Sequence, residues 1–415
     1  MSEDGVRTGE PRLLTERGLT CIFGTMRTPT PWVWAFVLVV FAASRLVFMG
    51  AGVLAAAYLP QADPAGDPLG PSGSLSYWTH WDGAWYSQIA TEGYGERAPE
   101  STAFFPLYPM LVRFGSSLLG GPALWGVVIS LLCSALGLFF VFRVAEELYA
   151  GRAARAATLA LAFFPTAFYL NAVYTEALFL ALTAGCVWAA SVRRDLLLAG
   201  VFGALAAATR NVGVLLLIPL LFEWLTHRRE FGTRGLVGIS LVPLGLAGYA
   251  LFLWKRFGEP LLFARQQEDY WERELTNPLT TAGEAWRAGG EGAKYLLDPS
   301  TLFLDASATP ALDASNALNL AFLVFFLVVA VVGFVLLPPG LSLYTFAIVL
   351  LPVLTPAPRF PLMSMPRFVL GAFPVFLVLG YLLSRGRVIL VLWLVIGGGL
   401  GIVLTALFTT WRWVA

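Results

Sequence analysis

One aspartate lies in an aromatic stretch of the chain, His80-Trp81-Asp82-Gly83-Ala84-Trp85-Tyr86. A carboxylate in such a position can act as a general base, accepting the proton of a hydroxyl group that attacks a reactive carbon. Asp82 could instead cap a short helix that opens at Gly83. His80 is open to two interpretations, a proton carrier or a residue of the membrane interface.

Two arginines interrupt otherwise apolar surroundings, Arg210 in Ala208-Thr209-Arg210-Asn211 and Arg367 in Pro366-Arg367-Phe368. The planar guanidinium fork matches phosphate oxygens in a bidentate manner, so both residues are candidate phosphate ligands. Arg367, like the nearby Arg359, could alternatively anchor the chain at the membrane surface by extending its charge towards the lipid headgroups.

A single carboxylate follows Tyr174-Thr175 within a long apolar segment, Glu176. A charge is costly in such surroundings and is usually paired. Two interpretations stay open. In the first, Glu176 and Arg210 belong to a functional site. In the second, they pair with each other or with Arg45 as a structural lock.

The composition requires a lipid environment for most of the chain. Of 415 residues, 58% are hydrophobic and 13% are charged, with a mean hydropathy of +0.73. A net charge of +1 gives no basic excess for nucleic-acid binding. The cysteines, Cys21, Cys133 and Cys186, have no metal-ligand spacing, so neither a metal site nor a cofactor is predicted.

The hydropathy pattern predicts an all-α polytopic membrane protein with about 10 to 11 transmembrane helices. Residues 1–30 read as an arginine-bearing cytoplasmic tail, and 31–415 as a single membrane domain. Outer loops are expected at about 60–104, with interfacial helices, and at about 255–315. A short helix at Phe105–Leu119 should lie at the interface. The longer spans are expected at Trp32–Tyr58, Ala123–Phe142, Leu236–Trp254, Leu318–Leu337, Leu341–Leu354, Phe368–Leu383 and Val388–Phe408.

Two further segments, Ala156–Val192 and Leu196–Leu225, have basic residues at both ends. The positive-inside rule therefore requires an even number of crossings in each. Both should be hairpins of short helices whose turns lie recessed below the outer surface. The polar turn residues would then either line a cavity or be buried in protein, because non-helical backbone is tolerated at that depth only in those two places.

Several motifs occur in an order that is typical of one family. The His80–Tyr86 stretch is followed by Ala103-Phe104-Phe105-Pro106-Leu107-Tyr108-Pro109, Phe164-Pro165-Thr166, Tyr174-Thr175-Glu176, Ala208-Thr209-Arg210-Asn211 and Pro366-Arg367-Phe368. A weaker match is Phe257-Gly258-Glu259-Pro260 with Phe263, Gln266, Gln267, Trp271 and Arg273. From about Arg45 to Pro374 the chain resembles the PIG-V mannosyltransferases and their bacterial relatives, within the GT-C glycosyltransferases.

The resemblance implies a GT-C-type helical bundle that uses a polyprenyl-phosphate-linked sugar as donor. It implies an inverting mannosyl, or more broadly hexosyl, transfer to a glycolipid or other glycan acceptor, with no metal required. Asp82 would be the catalytic base, and Arg210 and Arg367 would bind the donor phosphate. The substrate pocket is expected to include His80, Trp81, Tyr108, Tyr174 and Glu176.

Two other functions remain open from the sequence, a transporter or flippase of lipid-linked sugars and a non-catalytic subunit that binds the carrier lipid. Neither needs Asp82 as a base. The repeat pattern common in transporters is not visible. The alanine- and arginine-rich composition suggests a bacterial inner membrane, with the site facing outward.

Overall fold

The computed structural model describes residues 31–62, 75–95, 98–305 and 307–414, and every regular element within them is a helix. The predicted tail and Cys21 lie outside the described residues. The α-helices are α1 (Pro31–Tyr58), α2 (Asp82–Glu92), α3 (Leu107–Leu118), α4 (Pro122–Tyr149), α5 (Gly151–Ala162), α6 (Glu176–Ser191), α7 (Leu196–Ala207), α8 (Leu217–Thr226), α9 (Arg228–Phe257), α10 (Leu262–Asp269), α11 (Pro278–Leu296), α12 (Pro299–Leu304), α13 (Thr309–Leu336), α14 (Pro339–Leu354), α15 (Met365–Phe368), α16 (Pro374–Leu383) and α17 (Arg387–Thr409). Short 3-10 helices are Ser76–Trp78, Pro99–Ala103, Ala167–Leu170, Asn211–Leu216 and Val369–Gly371.

Five described helices, α1, α4, α9, α13 and α17, are long and apolar enough to cross a membrane. They contain 23 to 30 residues, which at about 1.5 Å per residue exceeds the roughly 30 Å hydrocarbon thickness. Only 28 to 56% of their most apolar windows is buried inside the protein. The rest of that apolar surface faces outward, as expected where the solvent is lipid. The chain is an integral, multi-pass membrane protein.

The remaining apolar helices are short or bent. The segment Met365–Gly371 and α16 together would form one further span, but they meet at 89°. The predicted span over Phe368–Leu383 is therefore a broken one. The break lies at Ala372, which has φ of −82° and ψ of 51°, and Pro374 has no N–H to continue a helix across it. Four shorter apolar helices, Glu176–Ser191, Leu196–Ala207, Asn211–Thr226 and Pro339–Leu354, complete the described bundle.

Helices break in both segments where hairpins were predicted. The first segment contains α5 and α6, joined through the 3-10 helix Ala167–Leu170, and α5 packs mainly on α4 and α16. The second contains α7 and α8, which contact each other, with the 3-10 helix Asn211–Leu216 between them. The first turn is buried, and Arg45 of α1 binds it by donating to the carbonyl oxygens of Ala162 and Ala167 and to Asn171 Oδ1. Arg45 thus satisfies polar groups that the broken helix leaves open. The alternative that Arg45 pairs with Glu176 is wrong.

Small residues let the second hairpin pack closely on α9. A side chain at Gly200 would collide with the backbone of Gly238, and one at Gly245 with the Ala204 carbonyl. Close backbone approach at glycines is a common way for membrane helices to associate, because lipid gives no hydrophobic force between them. The contact holds the turn that carries Arg210 in a defined place.

Candidate active site

Four charged residues that the sequence singled out meet where helices begin or break. Asp82 is the first residue of α2, and Glu176 is the first residue of α6. Arg210 directly precedes the 3-10 helix Asn211–Leu216, and Arg367 lies in the short helix α15. Helix ends leave backbone polar groups unpaired, so such breaks gather at a polar site rather than against lipid.

The four residues form a continuous charged cluster. Arg367 Nη1 lies 2.7 Å from Asp82 Oδ2, and Arg367 Nε lies 3.3 Å from Glu176 Oε1. Arg210 Nη2 approaches the same Glu176 oxygen at 3.2 Å. Glu176 therefore stands between two guanidinium groups and fixes their separation. The pairing of Glu176 with Arg210 that the sequence suggested as a structural lock is present.

Burial differs along the cluster. The side chains of Glu176 and Arg367 are 1% and 5% exposed, whereas those of Arg210 and Asp82 are 17% and 20% exposed. Arg367 is also enclosed by aromatic rings, with its guanidinium carbon 5.3 Å from the Tyr174 ring centre and 5.2 Å from that of Phe368. Arg367 is no surface anchor, and that alternative is wrong. Arg359, which is 68% exposed and faces Asp313, fits the anchor role.

The backbone beside both members of the Asp82–Arg367 pair is unusual. Trp81, directly before Asp82, has φ of 58°, and Ser364, which precedes α15, has φ of 70°. Non-glycine residues rarely adopt positive φ, and when they do it is often at functional sites. The N-cap of α2 is Trp81, and Asp82 is already the first residue within the helix, so Asp82 is not its cap. The helix-cap alternative is therefore wrong, and the geometry directs this carboxylate towards Arg367.

The cluster opens into a cavity of about 380 Å³. Asp82, Arg210 and Arg367 line it, together with a third cation, Arg273. The rest of the wall is aromatic, aliphatic and neutral polar, and it comes from residues 103–105, residues 209–212, α10, α14 and residues 363–368, with single residues from other parts of the chain. The other lining residues are Tyr86, Ala103, Phe104, Phe105, Phe179, Thr209, Asn211, Val212, Phe263, Ala264, Gln267, Trp271, Ile348, Leu351, Pro352, Thr355, Met363, Ser364, Phe368 and Trp413.

Arg273 is the cation to which sequence reasoning gave no role. It lies between α10 and α11, donates from Nη2 to the Met363 carbonyl at 3.3 Å, and stands 5.6 Å from the Phe368 ring centre. Withdrawal from water, helped by the positive charge of Arg367, lowers the pKa of Arg273 to about 10, so it stays charged at neutral pH. The signal available in the sequence was its place after Trp271 in the weaker family match.

The predicted pocket residues lie behind the cavity wall instead of lining it. Tyr174 donates to the His80 carbonyl at 2.8 Å, and Tyr108 donates to the Gly126 carbonyl at 2.9 Å. Both tyrosines are fully buried. Trp81 packs against Trp411 and Trp413, and Glu176 holds the two arginines. These residues position the groups that reach the cavity, a correction to the predicted pocket.

His80 is also placed behind the site. Its Nδ1 lies 2.9 Å from the Phe408 carbonyl, which can only accept, so Nδ1 carries the proton of the neutral ring. The ring stacks on Trp411 at 3.9 Å. Burial lowers the pKa of His80 to about 4, so it is neutral at physiological pH. It is remote from the reacting groups that the cavity would hold, and a support role fits it better than proton transfer.

Within the described ranges, no three His, Cys, Asp or Glu side chains lie close enough together to hold a metal ion. Asp82 and Glu176 already face guanidinium groups.

Residues 100–253 match the family described as dolichyl-phosphate-mannose-protein mannosyltransferase. This part of the chain carries Tyr108, Glu176 and Arg210, and ends before Arg367. Among curated proteins, none matches the chain.

The solved structures to which the chain is similar include two of ArnT from Cupriavidus metallidurans. The structure of ArnT in the apo state has a TM-score of 0.46 at 15% identity, and the match covers 84% of this chain and 59% of that chain. The structure of ArnT bound to undecaprenyl phosphate has a TM-score of 0.45 at 17% identity, and the match covers 86% of this chain and 60% of that chain. The oligosaccharyltransferase of Archaeoglobus fulgidus, in complex with Zn and sulfate, has a TM-score of 0.45 at 14% identity. The match covers 88% of this chain and 53% of that chain. The chain thus spans between 53% and 60% of the length of these structures.

Proposed function

We propose that this protein is an inverting glycosyltransferase that moves a mannosyl group from a polyprenyl-phosphate donor to an acceptor on the extracytoplasmic side of the membrane. The observation that carries the proposal is the direct contact of Asp82 with Arg367 at the wall of a cavity lined by three arginines. The match of residues 100–253 to the mannosyltransferase family supports the choice of donor and sugar.

The charges of the cluster favour a ligand with a single negative charge. Arg210, Arg273 and Arg367 face two carboxylates, Asp82 and Glu176, which leaves one positive charge in a largely buried place. A sugar phosphodiester carries one negative charge and would neutralise it. Since a buried unpaired charge is costly, this complementarity favours a monophosphate donor.

The reaction follows from these positions. The acceptor hydroxyl oxygen attacks C1 of the donor sugar from the face opposite the phosphate, which inverts the configuration. The C1–O bond to phosphate breaks, and its electron pair stays on the leaving polyprenyl phosphate. Arg210, Arg273 and Arg367 stabilise the negative charge that grows on that oxygen. Asp82 accepts the hydroxyl proton.

The Asp82–Arg367 contact suggests how the site is kept inactive before the donor binds. In this contact the Asp82 oxygen Oδ2 faces the guanidinium of Arg367 instead of an acceptor hydroxyl. A donor phosphate entering the cavity competes for Arg367. That competition would release Asp82 at the moment when an acceptor proton must be removed.

A transporter or a non-catalytic carrier-binding subunit would also use the arginines. Neither would need a carboxylate whose direction is set by an unusual backbone at Trp81. This feature favours an enzyme. The polyprenyl chain would remain in the surrounding lipid while the phosphate and sugar occupy the cavity.

The test uses the purified full chain in lipid nanodiscs with polyprenyl-phosphate mannose that is radiolabelled in the sugar. Release of the sugar, with membrane glycolipids or other glycans supplied as acceptor, is measured for wild type and Asp82→Asn. Transfer by wild type but not by the variant supports the proposal. Movement of the labelled lipid across a vesicle bilayer by both proteins, without cleavage, would establish a transporter.

A further inference from the structure

The helix α11, which belongs to the predicted second outer loop, carries an apolar stripe on its exposed side. Its other side packs closely on α13, since a side chain at Gly289 would collide with Leu320, and one at Gly292 with the Asp313 carbonyl. The two helices are therefore antiparallel. The stripe recurs every three or four residues, so it lies on one face of the helix. Its exposed members are Leu279, Gly283, Trp286, Gly290, Ala293 and Leu297.

The depth of α11 follows from the hairpin that α13 and α14 form. Its turn lies on the inner side, where the Leu336 carbonyl accepts a hydrogen bond from Tyr149, close in sequence to Arg152 and Arg155. The 28 residues of α13 extend about 42 Å, whereas the 16 residues of α14 extend only about 24 Å. The outer end of α14 is therefore recessed by about 18 Å relative to that of α13.

Two contacts place the start of α11 at this recessed level or deeper. The Thr276 N–H donates to the Leu354 carbonyl, at the end of α14, at 2.9 Å. Leu279 lies about 20 Å deeper than the contact between Gly292 and Asp313, because that length of helix separates it from Gly292. α13 exceeds the roughly 30 Å of hydrocarbon by only about 12 Å. Even if all of this excess projects outward, both positions lie at the depth of the lipid chains.

The sequence of α11 changes along its length in the same sense. Its first nine residues contain one charged residue, Glu284, and the ninth is Trp286. The remaining ten contain Arg287, Glu291 and Lys294. Tryptophan is enriched at the boundary between membrane and water, and charged residues are favoured beyond it. A mostly apolar half, a tryptophan and a charged half are in the order expected of a helix that rises out of a membrane.

We propose that α11 enters the outer leaflet of the membrane, with its first half packed against lipid chains and its second half among headgroups and water. The partner of the stripe is lipid, because Leu279 lies at the level of Val324 and Val328, through which α13 already faces lipid. This inference does not depend on the proposed function. It also explains how an outer segment supplies Arg273 to a recessed cavity, since the chain must descend to Thr276 before α11 begins.

The test uses nitroxide labels on single cysteines of the full chain in nanodiscs, with the native cysteines replaced by alanine. Relaxation of each label by O₂, which concentrates in hydrocarbon, is compared with relaxation by nickel ethylenediaminediacetate, which stays in water. Leu279→Cys and Leu297→Cys form a matched pair. Both side chains are highly exposed, at 80% and 86%, and they lie on the same face of the helix about five turns apart.

The ratio of O₂ to nickel accessibility should be about tenfold or more higher at Leu279→Cys than at Leu297→Cys, because a polar complex is costly to transfer into hydrocarbon. Val331→Cys, on the exposed side of α13, is the control within the membrane and should match Leu279→Cys. Equal nickel accessibility at the two α11 positions would place the helix in water and overturn the inference. A preference for O₂ at both would place α11 flat on the membrane, and protection of Leu279→Cys from both reagents would show that protein covers the stripe. Either result also overturns it.

Discussion

Asp82 Oδ2 and Arg367 Nη1 lie 2.7 Å apart although the two residues come from opposite ends of the chain. Glu176 completes the arrangement, since one of its oxygens faces both Arg367 and Arg210. The base candidate and the phosphate ligands are thus one electrostatic unit. A change to any member is expected to affect the others, and the predictions below are designed to separate their roles.

Asp82→Asn removes the proton acceptor and keeps the side-chain shape. General-base catalysis typically contributes about 10²- to 10⁴-fold, so sugar transfer should fall by at least about 100-fold. Donor affinity should be kept or increased, because Asp82 no longer competes with the phosphate for Arg367. The measurement is radiolabelled transfer with a thermal melt of each protein. Asp313→Asn, at the pair with exposed Arg359, is the matched control and should transfer normally. Full activity of Asp82→Asn would assign the base elsewhere, with Glu176 as the next candidate.

Arg210→Lys and Arg367→Lys keep a positive charge but replace a bidentate fork by a point charge. We expect a raised donor KM in both variants, by about tenfold or more, because each loses a charge-assisted hydrogen bond to phosphate. Initial rates across donor concentrations give the KM. Arg265→Lys, at a side chain that is 60% exposed, should behave like wild type. An unchanged donor KM in both site variants would contradict phosphate binding by these arginines.

Glu176→Gln should chiefly affect folding stability. Glu176 is 1% exposed and lies between two guanidinium groups, so its neutralisation leaves them without a shared counter-charge. Removing one partner of a buried ion pair typically costs on the order of 3 kcal/mol. A clearly lower melting temperature in detergent is expected, whereas Glu92→Gln, on the exposed side of α2, should melt like wild type. A melting temperature that stays unchanged would show that the arginines do not depend on this carboxylate.

His80 predicts a dependence of stability on pH. Its pKa is about 4 in the fold, against about 6.5 in the unfolded chain, so between those values only the unfolded chain binds the proton. The contribution of neutral His80 to the free energy of unfolding is complete above about pH 6.5 and is lost as the pH falls towards 4. Between pH 7 and pH 5 the loss should be about 2 kcal/mol. His80→Asn should reduce this slope, while His227→Asn should keep it. The same slope in wild type and His80→Asn would refute the assignment.

The orientation in the membrane can be tested with single cysteines in a variant whose native cysteines are replaced by alanine. The positive-inside pattern places Glu291 of α11 outside and Arg229 of α9 inside. Glu291→Cys should react with an impermeant maleimide in intact cells, and Arg229→Cys only after lysis. The opposite labelling would invert the topology and remove the proposed site from the extracytoplasmic side.

The sequence by itself predicted the membrane character, the helix breaks within residues 156–192 and 196–225, and three charged residues that line the cavity. These features depend on local properties. Hydropathy reports which segments face lipid, and basic flanks report how often a segment crosses. Polar residues within apolar runs, such as Arg210 and Glu176, mark the places where a helix cannot continue against lipid.

Only the tertiary structure decided which side chains reach the cavity. Tyr174 and His80 were expected there, yet they hold its wall from behind, whereas Arg273 and Trp413 line it without having been assigned to it. The direction of each side chain depends on contacts between distant segments, such as the bonds from Arg412 to the loop carbonyls. Hydropathy and motif spacing indicate where along the chain a helix ends. They do not indicate which distant segment the end of that helix contacts, and these contacts determine which residues form the site.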